Sequence, residues 1–498
     1  MTWETARVSD SRRLVDKLWS YCNVLRDDGV GVIEYTEQLT YLLFLKMAHE
    51  RSIRKLNPQQ IVPTEFSWQR LLDAEGTDLE VVYTEILVGL AQQPGTLGTI
   101  FRKAQNRIQD PAKLKRLIVD LIDRENWSAS GTDLKGDAYE ELLSKGASDK
   151  GSGAGQYFTP RDLISGIVDV IDPRPNDTVV DPACGTGGFL LVAHEHAAQG
   201  AESLTPTLRA HLRDNFASGY ELVDGTARLA AMNLLLHGIG TPNGNSLIEV
   251  RDALIADPGK RWSVVLSNPP FGRKSSLTMV GADGREDREI ERQDFVVTTS
   301  NKQLNFVQHI MTILDINGRR RRTPRQRALR RRRRGDAAVQ TAGRLRPAHP
   351  AAAADWDLLR PGREGKRAVL RQEARVRAAV DRRLWVYDLR TNQHFTLKQN
   401  PLRRQHLDDF VASYLPGKDR SERVESERWK SFTYDELIAR DKANLDITWL
   451  RDESLEDADT LPAPEVIARE IVEDLTAALA EFEAVAATLE EGASTAAE

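Results

Sequence analysis

Cysteine occurs only twice in this chain of 498 residues, at Cys22 and Cys184. Two thiols cannot form a disulfide framework, and such sparing use points to a reducing compartment. No His and Cys spacing suits a metal, so no metal site is expected. No run approaches the roughly 18 apolar residues that a membrane helix needs. The first 25 positions carry Asp, Arg and Lys throughout, which excludes a signal peptide. A cytoplasmic location is expected. An excess of positive charge is also missing. The formal net charge is −5, whereas a chain that held nucleic acid unaided would neutralise phosphates with Lys and Arg.

What remains is a chain that can build large cores. Hydrophobic residues make up 40% of it, and the length suits two or three domains. Residues 1–150 read as a helical domain. Within Arg12–Arg26, Leu14, Leu18, Tyr21, Cys22 and Leu25 recur at helical spacing, and Glu37–Ala48 is a strongly apolar helix. The Gly- and Ser-rich stretch Lys145–Gly155 reads as a hinge or lid. Residues 151–430 form a second unit in which strands alternate with helices, and 431–498 a helical tail. In that tail Val466, Ile467, Ile471, Leu475, Leu479 and Phe482 make one apolar stripe, which packs on its own domain or on a partner helix.

Two turns in the middle unit carry chemistry. Asp177–Asp181 reads as a strand and Phe189–Ala198 as a helix, with Asp181, Gly185, Thr186, Gly187 and Gly188 in the turn between them. The glycines let a backbone approach a ligand. The order is Asp-Pro-x-Cys-Gly-x-Gly-Gly, not Gly-x-Gly-x-x-Gly, and no Lys-Ser/Thr pair follows, which argues against dinucleotides and triphosphates. Cys184 sits where a small residue is needed and reads as packing, not as a nucleophile. The strand Phe216–Glu221 ends in an acid where a ribose diol needs a carboxylate, although a strand-end acid can also be merely solvated. Asp252 stands before the next strand and either accepts from an adenine amine or caps a turn.

That next strand, Trp262–Ser267, runs into Asn268-Pro269-Pro270-Phe271. On its own this is a proline-stiffened turn. Its chemistry also fits an exocyclic aromatic amine, whose lone pair is delocalised into the ring. The Asn268 side-chain oxygen and the Pro269 carbonyl can take the two amine hydrogens and favour a nucleophilic geometry. Phe271 can stack on a base lifted out of a duplex. Asn268, Pro269 and Phe271 are the candidate catalytic residues, and no covalent intermediate is required. Thr159 reads as the N-cap of a helix over 162–171, with Pro160 in its first turn.

These motifs, together with Gly155-Gln156-Tyr157-Phe158-Thr159-Pro160-Arg161 and Gly219-Tyr220-Glu221, occur in the order seen in the modification subunits of type I restriction-modification systems, which the chain resembles over 1–317 and from about Leu384 onward. The resemblance implies an α/β fold: a Rossmann-like S-adenosylmethionine-dependent methyltransferase domain between an N-terminal helical domain and a C-terminal helical tail. It implies an adenine-N6 DNA methyltransferase. It places Gln156, Tyr157, Thr159 and Pro160 over the methionine end of the cofactor, the Asp181–Gly188 loop at its amino acid part and Glu221 at its ribose. The partners it implies are double-stranded DNA, a specificity subunit flanked by two copies of this chain, and a restriction subunit, with the C-terminal helix packed on the specificity subunit. Other planar amines, on cytosine, an RNA base or glutamine, are the alternative substrates, and a purely structural subunit is the alternative role.

Between 318 and 383 the pattern breaks. Twenty-one arginines fall in 319–383, beside the run Ala351–Ala354. A basic arm on DNA phosphates is one reading. A gene read in a displaced frame is the preferred one. Permitted codons for Leu345–Gly362 can be chosen so that a neighbouring frame reads approximately CDLHTLLRLPTGIFYAQ, and Pro324–Leu329 hides PDNVL, both similar to the family's catalytic domain. Made as written, the segment is expected to be too poor in apolar residues to finish the sheet and so to be disordered, and the chain to keep its cofactor loop but methylate poorly or not at all. Tryptic mapping of the natural protein tests this. Trypsin seldom cuts before proline, so the chain as written releases Leu345–Arg363 as one peptide; the displaced frame predicts that this peptide is missing and that peptides of the alternate text take its place.

Overall fold

The structure is a computed structural model. It describes residues 16, 18–21, 32–55, 58–125, 127, 159–200, 203–270, 279–280, 286–287, 290, 292–315, 354–360, 367–372, 383–389, 391, 393, 395, 400–416, 418, 420–440, 447, 449–450 and 472. For 32–34, 279–280, 286–287, 354–360 and 367–372 it describes the backbone only. The hinge at 145–155, most of Arg12–Arg26 and the apolar stripe of the C-terminal helix lie outside the described residues. Two units are distinguished, 1–389 with 395–448, and 390–394 with 449–498. The first contains every strand of the structure's sheets.

Its amino-terminal part is a layer of helices: α1 (Val32–Ser52), α2 (Trp68–Asp73), α3 (Thr77–Ala91), α4 (Gly95–Phe101) and α5 (Pro111–Arg116). A π-helical turn, Leu117–Asp123, continues α5. The apolar stretch expected within Glu37–Ala48 lies inside α1, and Leu39, Tyr41, Leu42, Leu43, Phe44 and Leu45 are all buried. A helix apolar on every side needs neighbours all round. α1 finds some of them in α9 (Asp224–Leu236), beyond the amino-terminal layer.

The sheet explains that contact. Strands β1 (Val179–Asp181), β2 (Ala217–Glu221), β3 (Ile248–Val250) and β4 (Val264–Val265) form one sheet in the order β3-β2-β1-β4. All three pairings are parallel, with Asp181 opposite Gly219, Glu221 opposite Val250 and Val180 opposite Val265. Parallel strands need helical crossovers that cover the faces. Here they are α6 (Arg161–Ile171), α7 (Gly188–Ala197), α8 (Pro206–Asp214) and α9, with α10 (Lys302–Ile313) after β4. Side chains alternate between the faces, as the period of two requires. Val179 and Ala217 join the large core shared with α1, α6, α7 and α9. Val180, Tyr220 and Val265 join a second core with Phe306, Ile310 and Ile313 of α10. After α10 the chain starts a further parallel contact with the sheet: the Trp262 amide donates to the Ile313 carbonyl, and the Asp315 amide to the Trp262 carbonyl.

β5 (Met279–Val280) and β6 (Glu286–Asp287) form a short antiparallel pair, and a further sheet holds β7 (Ala354–Arg360), β8 (Arg367–Gln372), β9 (Arg383–Asp388) and β10 (Trp429–Thr433), in the order β10-β9-β7-β8. Two of its strands lie in the segment where the composition predicts none. The physical reason is visible in the backbone: β7 pairs in parallel with the well-buried β9, and β8 then pairs antiparallel with β7. β9 and β10 stack Trp385 on Trp429 at 5.2 Å and pack Tyr387 against Phe410 of α11 (Asp408–Tyr414). Just before α11, Leu407 fills the place that a Cβ on Gly166 of α6 would take, at 2.5 Å. Arg404 donates through Nε to Asp169 on the same helix at 2.8 Å. α6 is thus held from behind by the C-terminal sheet.

The helical layer and the sheet are joined through Arg228 of α9. Its side chain pairs with Glu37 at 2.7 Å and donates to the Tyr41 hydroxyl at 2.7 Å and the Arg102 carbonyl at 3.1 Å. It is 11% exposed, so water does not replace these partners. Arg228→Ala is expected to destabilise the fold by about 1–3 kcal/mol by stranding Glu37. Denaturant melts of the two chains measure it, and an unchanged midpoint would remove the clamp from this account.

Candidate active site

Parallel register brings four chain segments to one edge. The carboxyl ends of β1, β2, β3 and β4 carry Asp181, Glu221, Arg251-Asp252 and Ser267-Asn268. The strand order reverses beside β1, where open α/β sheets leave a crevice. That crevice is a cleft of about 280 Å³ whose walls include Thr159, Asp181, Gly185, Thr186, Gly188, Glu221, Asp252 and Asn268. Of the other expected site residues, Pro160, Gly187 and Pro269 stand next to wall residues without lining the cleft themselves. Gln156, Tyr157 and Phe271 lie outside the described residues.

The glycine turn is fixed from below by carboxylates. Asp181 Oδ1 accepts from the Ala183 amide at 2.9 Å and from the Ser267 hydroxyl at 2.7 Å. Glu221 Oε2 accepts from the Gly185 amide at 3.0 Å, and Oε1 from the Val223 amide at 2.9 Å. Gly185 and Gly187 adopt φ of +55° and +84°, the left-handed region that glycine enters without strain. Gly188 serves differently: it opens α7 and a Cβ there would press on Ile164 of α6 at 3.1 Å. Cys184 donates its amide to the Tyr220 carbonyl and packs its sulfur where a Gly219 Cβ would lie, at 2.9 Å. Burial pushes its thiol well above the usual range, which keeps it protonated and suits packing.

Both acids are costly where they are. Asp181 is 1% exposed and Glu221 7%. Burial raises the Asp181 carboxyl to about 7, against the pull of the Ser267 and Ala183 bonds, and burial likewise raises Glu221 against its backbone amides. Two desolvated carboxylates under a glycine cradle suit a ligand that brings positive charge and hydroxyl donors. Asp252 Oδ1 caps a turn by accepting from the Leu254 amide at 2.8 Å. It also lines the cleft, so the turn-capping and ligand-facing roles coexist.

Thr159 is not the helix cap. The Pro160 carbonyl opens α6 by accepting from the Leu163 and Ile164 amides, and no side chain caps it. The Thr159 hydroxyl is engaged elsewhere: Asn268 Nδ2 donates to it at 2.9 Å. A tertiary partner has outbid the local cap. The cleft also has walls the motifs did not announce. Leu222 and Val223, just past Glu221, are 51% and 42% exposed, and Phe306 and Lys302 come from α10. The place of this pair after the strand-end acid is plain in the sequence but its exposure is not, and α10 gave no signal at all.

The segment after β4 is pinned to α10 by buried side chains. Gln308 pairs its amide with both backbone groups of Val297, at 2.8 and 3.0 Å, and Asn305 donates to the Thr299 carbonyl at 2.8 Å. Arg292, its side chain 4% exposed, donates to Asp294, to the Ala253 and Leu254 carbonyls and to His309 Nδ1. Burial lowers His309 to about 4, so the ring stays neutral and can accept that bond.

Known proteins resemble this chain along most of its length. The family model described as N-6 DNA Methylase matches residues 130–321, and that described as HsdM N-terminal domain matches 14–121. The type I restriction enzyme StySJI methylase subunit of Salmonella typhimurium is 32% identical over 521 residues, covering 95% of this chain and 94% of that protein. The EcoKI methylase subunit of Escherichia coli is 32% identical with the same coverage. Among solved structures, one from work on the assembly and conformational transition of the type I R-M system superposes with a TM-score of 0.62, at 24% identity over 96% of this chain and 98% of that one. The methyltransferase subunit of the type I system of Streptococcus thermophilus gives 0.63, at 16% identity over 87% and 98%. Motifs, cleft and whole-length similarity agree, and the chain belongs to the methylase subunits of type I restriction enzymes.

Proposed function

We propose that the cleft is where this adenine-N6 DNA methyltransferase subunit works, with Asn268, Pro269 and Phe271 receiving the base and the Asp181–Gly188 turn, Glu221 and Asp252 holding S-adenosylmethionine. The observation that carries this is Asn268. It stands at the end of β4, in the same cleft as the glycine turn and Glu221. When bound, the cofactor supplies an electrophilic methyl group on a sulfonium.

The chain's own residues do the rest by placement. Asp181 and Glu221 offer buried negative charge and free lone pairs, Glu221 to a ribose diol and Asp181 to the positive end of the ligand. Gly185 and Gly187 keep that wall free of side chains. Leu222 and Val223 give an apolar shelf for a planar base, and Asp252 an acceptor at its rim. On the other side, the Asn268 oxygen and the Pro269 carbonyl accept the two hydrogens of the target amine, which frees its lone pair. Phe271 stacks on the extruded base, and Gln156, Tyr157, Thr159 and Pro160 complete the cofactor side. We take residues 1–150, 151–430 and 431–498 as helical domain, catalytic domain and helical tail.

This family works on DNA in association with other subunits. For this chain we assign sequence reading to a specificity subunit flanked by two copies of it, with a restriction subunit in the larger complex, all in the cytoplasm. A net charge of −5 supports this division, since the grip on phosphates must come largely from elsewhere. No helix among the described residues is long and apolar enough to cross a membrane.

A second reading is favoured by the sequence. The contact beside β4, between Trp262 and Leu314, leads directly into the arginine-rich segment, where the strand-helix pattern breaks. A chain interrupted there would bind cofactor and fill its place in the complex without turning over. Nucleoside analysis of DNA treated with the assembled complex separates the two. The first reading predicts N6-methyladenine, and a loss of about 100-fold or more from Asn268→Ala at unchanged cofactor affinity. Cofactor binding with no methylated base would establish the structural role, and methylation surviving Asn268→Ala would remove Asn268 from the mechanism.

The buried acids predict a pH dependence. A carboxyl raised in the fold contributes stability below its unfolded value, and that contribution is lost as pH rises through the folded value. For Asp181 the window is about 4 to 7. The ligand-free chain should therefore lose stability across it, and Asp181→Asn should lose less. Melting curves at pH 5 and 8 check this; parallel slopes for the two chains would place the charge elsewhere.

A further inference from the structure

We infer that Thr159 is a positioning residue for Asn268, fixing which end of its amide faces the target amine. The inference rests on the reading of Asn268 as the group that receives that amine. Thr159 has so far stood as a cofactor contact, and this role is a different one.

An asparagine amide is ambivalent. Its oxygen accepts, its NH2 donates, and the two ends have nearly the same shape. A target amine offers two hydrogens, so only the oxygen helps; the NH2 end would meet it donor to donor. Something must therefore hold the amide in one of its two orientations. β4 fixes only the backbone, through the bond from the Leu266 amide to the Val180 carbonyl. Asn268 Nδ2 donates to Thr159 Oγ1 at 2.9 Å, and both residues line the cleft. With Nδ2 engaged by Thr159, Oδ1 is the end of the amide left for the target amine.

Thr159 is itself well placed for this. A residue before proline is restricted to extended backbone, so Pro160 limits where the hydroxyl can go. The Pro160 carbonyl is locked into the start of α6. α6 is held on one side by Arg161 to Glu195 of α7, at 2.9 Å, and on the other by Leu407 against Gly166. The Thr159 hydroxyl thus reports the position of α6 to Asn268, from 109 residues away.

Three variants test the assignment in the assembled methyltransferase. Thr159→Val keeps the shape and removes the acceptor. It is expected to lower kcat about tenfold while KM for DNA stays within about twofold and KM for cofactor rises by less than kcat falls, because the bond to Asn268 matters when the amine is being activated. Thr159→Ser should recover most of the rate, and Thr159→Ala should behave as Val. An unchanged kcat in Thr159→Val, or a loss confined to KM for cofactor, would overturn the assignment.

A readout without turnover makes the test independent of the functional reading. In chain labelled with ¹⁵N-asparagine and saturated with S-adenosylmethionine, the Asn268 side-chain amide pair is identified by its disappearance in Asn268→Ser. It should shift in Thr159→Val and return in Thr159→Ser. A pair that ignores Thr159→Val overturns the positioning role. If the unmodified chain makes no N6-methyladenine, the functional reading fails, and the amide spectrum alone decides this one.

Discussion

Two buried carboxylates hold the working edge of this protein together. Asp181 takes a bond from Ser267 beyond β4 and one from Ala183 in its own turn. Glu221 takes one from Gly185 in that turn and one from Val223 after β2. Each acid therefore ties two pieces of chain, and together they fasten the glycine turn, the end of β2 and the approach to Asn268 into one object. Their burial costs free energy, as the raised Asp181 value near 7 shows. The cleft is kept in a state where an incoming positive charge relieves a strain already present.

How much of this was legible follows from where each residue gets its instructions. Asp181, Glu221 and Asn268 sit at strand ends, and a strand end followed by glycine or proline is marked in the sequence itself. The strands expected at 177–181, 216–221 and 262–267 stand at Val179–Asp181, Ala217–Glu221 and Val264–Val265, and the helices expected at 162–171 and 189–198 at Arg161–Ile171 and Gly188–Ala197. Parallel register then brings them to one edge with no further information. Thr159 shows the opposite case. Its local sequence spells a helix cap, and only an asparagine 109 residues on decides otherwise. Lys302, Phe306 and Arg228 are equally silent, because a helix pattern says which face is buried and not against what. The pair Leu222-Val223 follows Glu221 in plain sight, but only the fold shows that it stays exposed beside a buried acid.

The arginine-rich segment is instructive for the same cause. Composition predicts no strands there, yet β7 is in place beside β9 and β8 beside β7. A strand edge supplies backbone partners regardless of side chains, so a buried neighbour can impose extended pairing on a sequence that would not choose it. The contact begun at Leu314 beside Trp262 belongs to the other sheet. Composition describes what a segment can bury, and says little about which backbone it can lean on.

The segment after β4 has a consequence for how such proteins diversify. From Arg292 to Thr299 it is anchored by Arg292 on the Ala253 and Leu254 carbonyls and by Asn305 and Gln308 of α10 on the Thr299 and Val297 backbone. With Pro270 beyond β4 at one end and this anchor at the other, the stretch between them can lengthen, shorten or change its text while both of its feet stay planted and the cleft is not retuned.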